Sequence, residues 1–282
     1  MLPELAARAA ASLWTAASDL LWPALGFAAL ALIVRGAAAL RTIRDSQAEV
    51  RVNLMLFVID VALITPLLVL LLGFSGALMQ QYGLHLFSAS AWHALPIWLV
   101  GFIAVFAGDF IAYWRHRFEH TTLIWPTHAI HHSDTAMTWT TGLRFHPLNR
   151  LSTALIDTTL LALLGLPLWA LMINNLVRHY YGLFIHMDLP WTYGPLSRAF
   201  VSPAMHRWHH IRDADGAGVN FATVFSVFDQ AFGTYHVPHA CNVPLGVRDE
   251  IGKGALGQLA WPFVAAWRAL RALHSRPAHS GT

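Results

Sequence analysis

The apolar residues of this chain fall into long runs rather than into narrow helical stripes or alternating strands. Leu20–Val34 is the first run, reaching back toward Leu13, and Leu54–Leu72 is the second, interrupted only by Asp60. Ala94–Trp114 is apolar up to Asp109, and Leu151–Ile173 carries the single charge Asp157. A further segment, Asn175–Met187, is apolar but holds Arg178, His179 and His186. Runs of about 20 apolar residues match the hydrocarbon core of a bilayer. The pattern predicts an all-α, integral membrane helical bundle with about four spans, or three spans plus a helical hairpin at about 151–187. Residues 1–114 would hold the N-terminal spans. Residues 115–282 would hold the hairpin, a helical cap and the candidate chemistry.

The arginines orient the bundle. Arg35, Arg41, Arg44 and Arg51 follow the first run, none lies in 73–93, and Arg115 and Arg117 follow the third run. Arg268, Arg271 and Arg276 come near the end of the chain. The positive-inside rule places these segments, and with them the histidine-rich cap, in the cytoplasm. Glu4 precedes Arg8, so the N-terminus lacks the positive start of a signal peptide and reads as a lead-in to the first span. Pro126, Pro147, Pro190–Pro195 and Asp213–Gly218 mark breaks. Ser202-Pro203 reads as a cap followed by a first-turn proline, opening a helix.

Composition sharpens this picture. Of 282 residues, 56% are hydrophobic and only 12% charged, against about 25% charged in soluble domains. A soluble enzyme, a disordered chain and a coiled coil are excluded on that count. The lone Cys241 rules out an internal disulfide framework and any cysteine-rich metal site. The net charge of +3 comes without a long basic run, so nucleic acid is not a partner. Lys253 is the only lysine, and the Ala/Arg-rich composition points to a bacterial inner membrane.

The 17 histidines outnumber the 15 acidic residues. Eight of them form three clusters: His116-Arg-Phe-Glu-His120, His128-Ala-Ile-His131-His132 and His206-Arg-Trp-His209-His210. On a helix, residues i and i+4 share a face about 6 Å apart along the axis. Such a pair presents two imidazoles to one metal, and HxxHH adds the i+3 neighbour to that face. Eight nitrogens exceed one tetrahedral zinc and suit two metals in one pocket. Imidazole alone does not choose among Fe, Zn, Cu and Ni.

His186 and His146 are further candidate ligands, with a turn role as the alternative for His146. His179, two turns before His186, supports the site from behind or acts as a ligand. Asp109, Tyr113 and Glu119 are the candidate catalytic residues; Asp109 and Tyr113 lie on the helix approaching His116, and Asp109 is expected to orient a ligand imidazole through its other nitrogen. Glu119 points about 100° away from His120 and backs the ligands. Asp60 and Asp157 read as hydrogen-bonded packing groups. Trp139 and Trp208 are candidates to line a lipid-shaped pocket, and most other tryptophans read as interfacial anchors. His85, His93, His236, His239, His274 and His279 read as ordinary histidines.

Together these motifs resemble the fatty acid hydroxylase/sterol desaturase superfamily of membrane histidine-rich di-iron enzymes. The likeness runs from Asp109-Phe-Ile-Ala-Tyr113-Trp-Arg-His116 through Trp125-Pro-Thr-His128, Arg144-Phe-His146-Pro147 and Phe184-Ile-His186. It continues through Ser202-Pro-Ala-Met-His206 to Asn220-Phe and Phe228-Asp-Gln-Ala-Phe-Gly-Thr-Tyr235. It departs after Asn220, where Phe-Ala-Thr stands in place of an aromatic followed by glycine. The resemblance implies two Fe ions, dioxygen as co-substrate, and hydroxylation or desaturation of an unactivated C–H bond in a lipid or sterol. Breaking such a bond is beyond side-chain acid–base chemistry, so a metal must carry the redox step. No His-Pro-Gly-Gly segment or nucleotide fingerprint is present, so electrons are expected from a separate donor protein. Two other readings use the same histidines: a membrane zinc hydrolase, with Glu119 or Asp134 as its base, and a metal transporter or sensor.

Overall fold

The computed structural model describes residues 2–212 and 218–274. Two long helices and a broken third build the first half. These are α1 (Leu2–Arg35), α2 (Ala37–Asp45) and α3 (Gln47–Ile59), which runs through a π turn at Asp60–Ile64 into α4 (Thr65–Gln81). After the short α5 (Ala89–His93) comes α6 (Ile97–Glu119). Ala10–Arg35, Gln47–Gln81 and Ile97–Glu119 are long and apolar enough to cross a membrane. The first two are 6% and 11% buried over their most apolar windows and α6 is 39% buried, so α6 is the inner helix of the three. Trp22, Ile33, Leu67 and Leu70 face outward, as lipid-facing side chains do.

The second half is a set of short helices around the end of α6. They are α7 (Trp125–His132), a 3-10 turn (Trp139–Leu143), α8 (Pro147–Ser152), a π turn (Thr153–Thr158) and α9 (Thr159–Leu163). Then follow α10 (Leu168–Ile185), α11 (Pro203–His209), α12 (Val227–Ala231) and α13 (Ala255–His274). Among the described residues there is no strand, only an isolated bridge between Ile211 and Leu245. Prolines open α7, α8 and α11, and Ser202 Oγ accepts from the Met205 amide at 3.1 Å, as the cap reading expects.

The apolar run 151–173 is not one helix. It turns back at 164–167, earlier than the expected corner between 173 and 175. Gly165 sits there with φ +70°, and a Cβ on it would stand 2.2 Å from the Phe87 carbonyl, so no other residue fits. Pro167 then starts α10. α10 lies against α6, and a Cβ on Gly108 would collide with the Asn174 side chain. The core behind the site packs Tyr113, Ile185, Val201, Met205, Phe221 and Phe228. Each such side chain contributes about 1.5–3 kcal/mol by leaving water.

Buried ion pairs stitch these helices. Asp157 takes Arg115 Nε at 2.7 Å and Arg178 at 3.3 Å, and Arg115 also holds Glu119 at 2.6 Å. Asp60 accepts from Arg150 Nε at 3.1 Å and from Thr65. Both aspartates thus meet the packing role expected of them.

Candidate metal centre

Nine histidines from four helices converge into two groups. His116, His120, His128, His132 and His209 form one; His131, His186, His206 and His210 form the other. Within each group the ligand atoms lie within 4.8 Å of one another. The groups adjoin, with the His132 and His210 rings stacked at 4.3 Å.

The two HxxHH motifs divide between the groups instead of serving one metal each. His128 and His132 join the first while His131 joins the second; His206 and His210 join the second while His209 joins the first. Helix geometry explains the split. Residue i+4 lies about 40° from i on one side, and i+3 about 60° on the other. The i, i+4 pair grips one centre, and i+3 reaches the neighbouring one.

The nitrogen that faces inward is set by what the other nitrogen touches. His116 Nδ1 donates to the Phe221 carbonyl at 2.7 Å, and His209 Nδ1 to the Val219 carbonyl at 2.7 Å. His131 Nδ1 donates to the Arg144 carbonyl at 3.2 Å, and His186 Nδ1 to the Gly182 carbonyl at 2.5 Å. A carbonyl only accepts, so these four rings carry their proton on Nδ1 and turn an Nε2 lone pair inward. His131 and His186 then present two lone pairs to each other at 3.2 Å. Two acceptors at that distance repel unless a cation lies between them. His209 Nε2 and His120 Nε2 are buried without a partner. Burial first, and the crowding of other imidazoles after it, holds His128, His131, His132, His206, His209 and His210 well below the usual imidazole range. They are neutral at physiological pH, the state that binds a metal.

The spacing bears on which metal fits. Nitrogens at about 2.1 Å from one ion lie about 3.0 Å apart at a right angle and about 3.4 Å apart at the tetrahedral angle. His128 Nε2 lies 3.0 Å from His116 Nε2 and 3.1 Å from His132 Nε2. His206 Nε2 lies 3.0 Å from His186 Nε2 and 3.2 Å from His210 Nε2. These distances allow each group to close on one ion, and five nitrogens exceed what tetrahedral zinc takes.

A loop at 219–225 holds the first group, and sequence reasoning assigned it no role. Asp109 accepts from the Thr223, Val224 and Phe225 amides at 3.1, 3.0 and 2.8 Å. Asp229 accepts from the Phe221 and Ala222 amides at 2.7 and 3.1 Å. Asn220, at φ +58°, donates to the Met205 and His236 carbonyls and turns its neighbours' carbonyls toward His209 and His116. Burial pushes the Asp229 carboxyl up to about 6, against the hydrogen bonds it accepts from Thr234 and the loop. The only sequence signal was the presence of Asn220 and Asp229 inside the quoted motifs.

Three expectations need correcting. Asp109 does not touch an imidazole: its contacts are the loop amides and Arg178 at 3.7 Å, so it acts on His116 only through the backbone. Tyr113 lies behind Phe221, with its hydroxyl 2.9 Å from Thr234 Oγ1 and near Arg117. His146 is outside both groups. Its Nδ1 caps α8 through the Leu148 amide at 3.1 Å, and its Nε2 donates to the Leu259 carbonyl at 3.2 Å, leaving no nitrogen for a metal. His179 also stands apart, against Tyr180. Glu119, by contrast, is buried beside the ligands, 3.4 Å from His128 Nδ1, where it also holds Arg115 and Ser152. His279 lies outside the described residues, as does the side chain of His274.

The arrangement joins three helices long and apolar enough to cross a membrane to two adjoining histidine groups, each of which could hold a metal ion. Residues 101–234, which contain all nine histidines, match the family model described as fatty acid hydroxylase. Ornithine lipid hydroxylase OlsE of Rhizobium tropici is 33% identical over 157 residues, covering 55% of this chain and 47% of that protein. Alkylglycerol monooxygenase of Danio rerio is 31% identical over 163 residues, covering 57% of this chain and 35% of that protein. The Homo sapiens alkylglycerol monooxygenase is 30% identical over 146 residues, 51% of this chain and 32% of that protein. The chain therefore spans less than half the length of these curated relatives. No solved structure matches it. Residues 101–234 are thus similar to the fatty acid hydroxylase family and to these lipid-oxidising relatives.

Proposed function

We propose that this protein is a membrane-bound oxygenase that uses two irons and dioxygen to hydroxylate an unactivated C–H bond of a lipid, drawing electrons from a separate donor protein. The observation that carries this reading is the convergence of five and four imidazoles on two adjacent groups. His116, His120, His128, His132 and His209 would hold one ion, and His131, His186, His206 and His210 the other. When bound, the iron pair supplies the redox chemistry that side chains lack. The chain's own residues do the rest. The 219–225 loop fixes the tautomers of His116 and His209. Arg144 and Gly182 fix those of His131 and His186. The buried walls keep bulk water from the ligands.

The relatives that match are named as an ornithine lipid hydroxylase and alkylglycerol monooxygenases, which favours oxygenation of a lipid over desaturation. The hydrolase alternative loses support because its base would have to be Glu119 or Asp134. Both are engaged, Glu119 by Arg115 and Ser152, and Asp134 by Asn53, Thr141 and the Ala136 amide. In our reading the arginine pattern faces the site to the cytoplasm, and 147–185 forms a helical hairpin within the bilayer.

The test is elemental analysis with Mössbauer spectroscopy on iron-57-grown protein, followed by oxygen-dependent turnover on extracted lipids. Two coupled irons per chain and an oxygen-dependent hydroxylated lipid are expected. A zinc-loaded protein with no turnover after iron reconstitution would overturn the reading.

A further inference from the structure

A cavity lies on the other side of the 3-10 turn from the histidine groups. It measures about 880 Å³ and runs between α1 and α3 under α2. That is near the upper end of the roughly 300–1,000 Å³ of small-molecule sites. Phe27, Ala31, Leu54 and Val58 line its long walls. Trp139, Thr140 and Met187 close its inner side, and Met187 directly follows the candidate ligand His186. The wall is thin: a Cβ on Gly142 of the same 3-10 turn would stand 3.4 Å from His186 Nδ1.

One end of this apolar chamber opens into a charged vestibule. The two share Arg35, Thr42, Ser46 and Asp188, and the vestibule, about 330 Å³, adds Arg41, Asp45 and Arg207. Three arginines meet two aspartates there, so the vestibule is net positive. Asp188 is bound by Arg35 at 2.7 Å and lies 3.5 Å from Arg207, whose buried Nε has no partner. A second cavity, about 630 Å³ between α6 and α10, has only apolar and aromatic lining and no such charged end. An apolar chamber with a cationic mouth matches an amphiphile with an anionic head, because arginine forks recognise carboxylate and phosphate oxygens. Most of the chamber comes from α1 to α3, outside the segment 101–234 that carries the family likeness.

We propose that this chamber is the seat of an anionic lipid, with its acyl chain along α1 and α3 against Trp139 and Met187 and its carboxylate or phosphate head at Arg35 and Arg207. The inference rests on the oxygenase reading for its purpose, since it lays a chain alongside the metal centre. It stands on the cavity and its charges for its evidence.

Binding is measured without turnover. Acyl-brominated lipids are added to the full-length, metal-loaded protein in neutral detergent, and tryptophan quenching is read for the wild type and for Trp139→Phe. Three probes are used: a brominated fatty acid, a brominated phosphatidylglycerol and a brominated diacylglycerol. The first two carry the carboxylate and the phosphate, and the third has no charge. Saturable quenching by at least one anionic probe, lost in Trp139→Phe, is the expected result, and the tighter of the two identifies the headgroup. Arg35→Gln is expected to weaken the anionic probe about tenfold without changing the response to diacylglycerol. Ala31→Phe, which fills the chamber without adding a tryptophan, is expected to abolish binding of all three. Equal affinity for charged and neutral probes, a saturable quenching component unchanged in Trp139→Phe, or unchanged binding in Arg35→Gln would overturn the seat. Metal content, read on the same samples, reports that each variant is folded. Lipid binding without iron or turnover would fail the oxygenase reading and leave the seat standing; turnover with unchanged binding in both cavity variants would do the reverse.

Discussion

The two histidine groups use the same side chain, yet different parts of the molecule keep them in place. In the five-histidine group, His116 and His209 lean on carbonyls of the 219–225 loop, and that loop hangs from two buried carboxylates, Asp109 and Asp229. His128 faces Glu119. In the four-histidine group, His186 bonds within its own helix, and His131 leans on the Arg144 carbonyl. Arg144 is in turn held by Glu49 and Asn53 of α3. The first group is therefore braced from within the segment 101–234, and the second partly by an N-terminal helix. Damage to the two braces should separate.

The largest effects come from the ligands. His131→Ala and His209→Ala should each lower turnover more than about 100-fold, beyond the 10–100-fold typical of outer partners. Each should also reduce bound metal from two ions to one by elemental analysis. Loss of both ions in either variant would break the comparison by making the groups a single unit.

The braces come next. Asp109→Asn puts an NH2 donor in place of one of the two oxygens that accept from the loop amides and should weaken one metal about 10- to 100-fold against a competing chelator, sparing the other. Asn53→Ala should do the same to the opposite metal. Equal effects on both ions from either change would erase the distinction.

Asp229 gives a smaller, pH-dependent signature. Its carboxyl is raised to about 6 in the folded protein, so the folded state binds a proton more tightly than the unfolded chain. Its contribution is fully present below about pH 4 and is lost as pH rises through about 6. The melting temperature of wild type relative to Asp229→Asn should therefore fall between pH 4 and 7 and level off above. A flat difference would remove Asp229 as a titrating brace.

His146→Ala should have the smallest effect. It removes a helix cap worth about 1 kcal/mol and should leave two metals bound. Loss of a metal would return His146 to the ligand set.

Much of this centre was legible in the sequence because its ligands are side chains at helical spacing. All eight clustered histidines and His186 are gathered, and the first three apolar runs fall largely within the helices long enough to span. What was not legible is carried by backbone. The Phe221 and Val219 carbonyls leave no mark in side-chain chemistry, and Phe221 is 105 positions from the His116 it holds. Asp109 was noticed for the right reason, a charge at the end of an apolar run, but its partners are amides far along the chain. The sharing of each HxxHH between two centres follows from helix geometry, yet it shows only once four helices are assembled. The hairpin corner was missed because Leu166 and Leu168 mask Gly165 and Pro167 inside an apolar run.

The two π turns, at Asp60–Ile64 and Thr153–Thr158, have a consequence for how this protein tolerates change. An ordinary helix that gains or loses one residue rotates everything beyond it by about 100°. A π turn is such an extra residue absorbed locally. Here each one lies at an aspartate that meets arginines on other helices. The phase of α3, which braces the metal centre, is thereby uncoupled from that of α4, which faces outward. The outer helix is free to drift in length and composition toward a thicker or thinner bilayer while the ion pairs beneath it keep their registration.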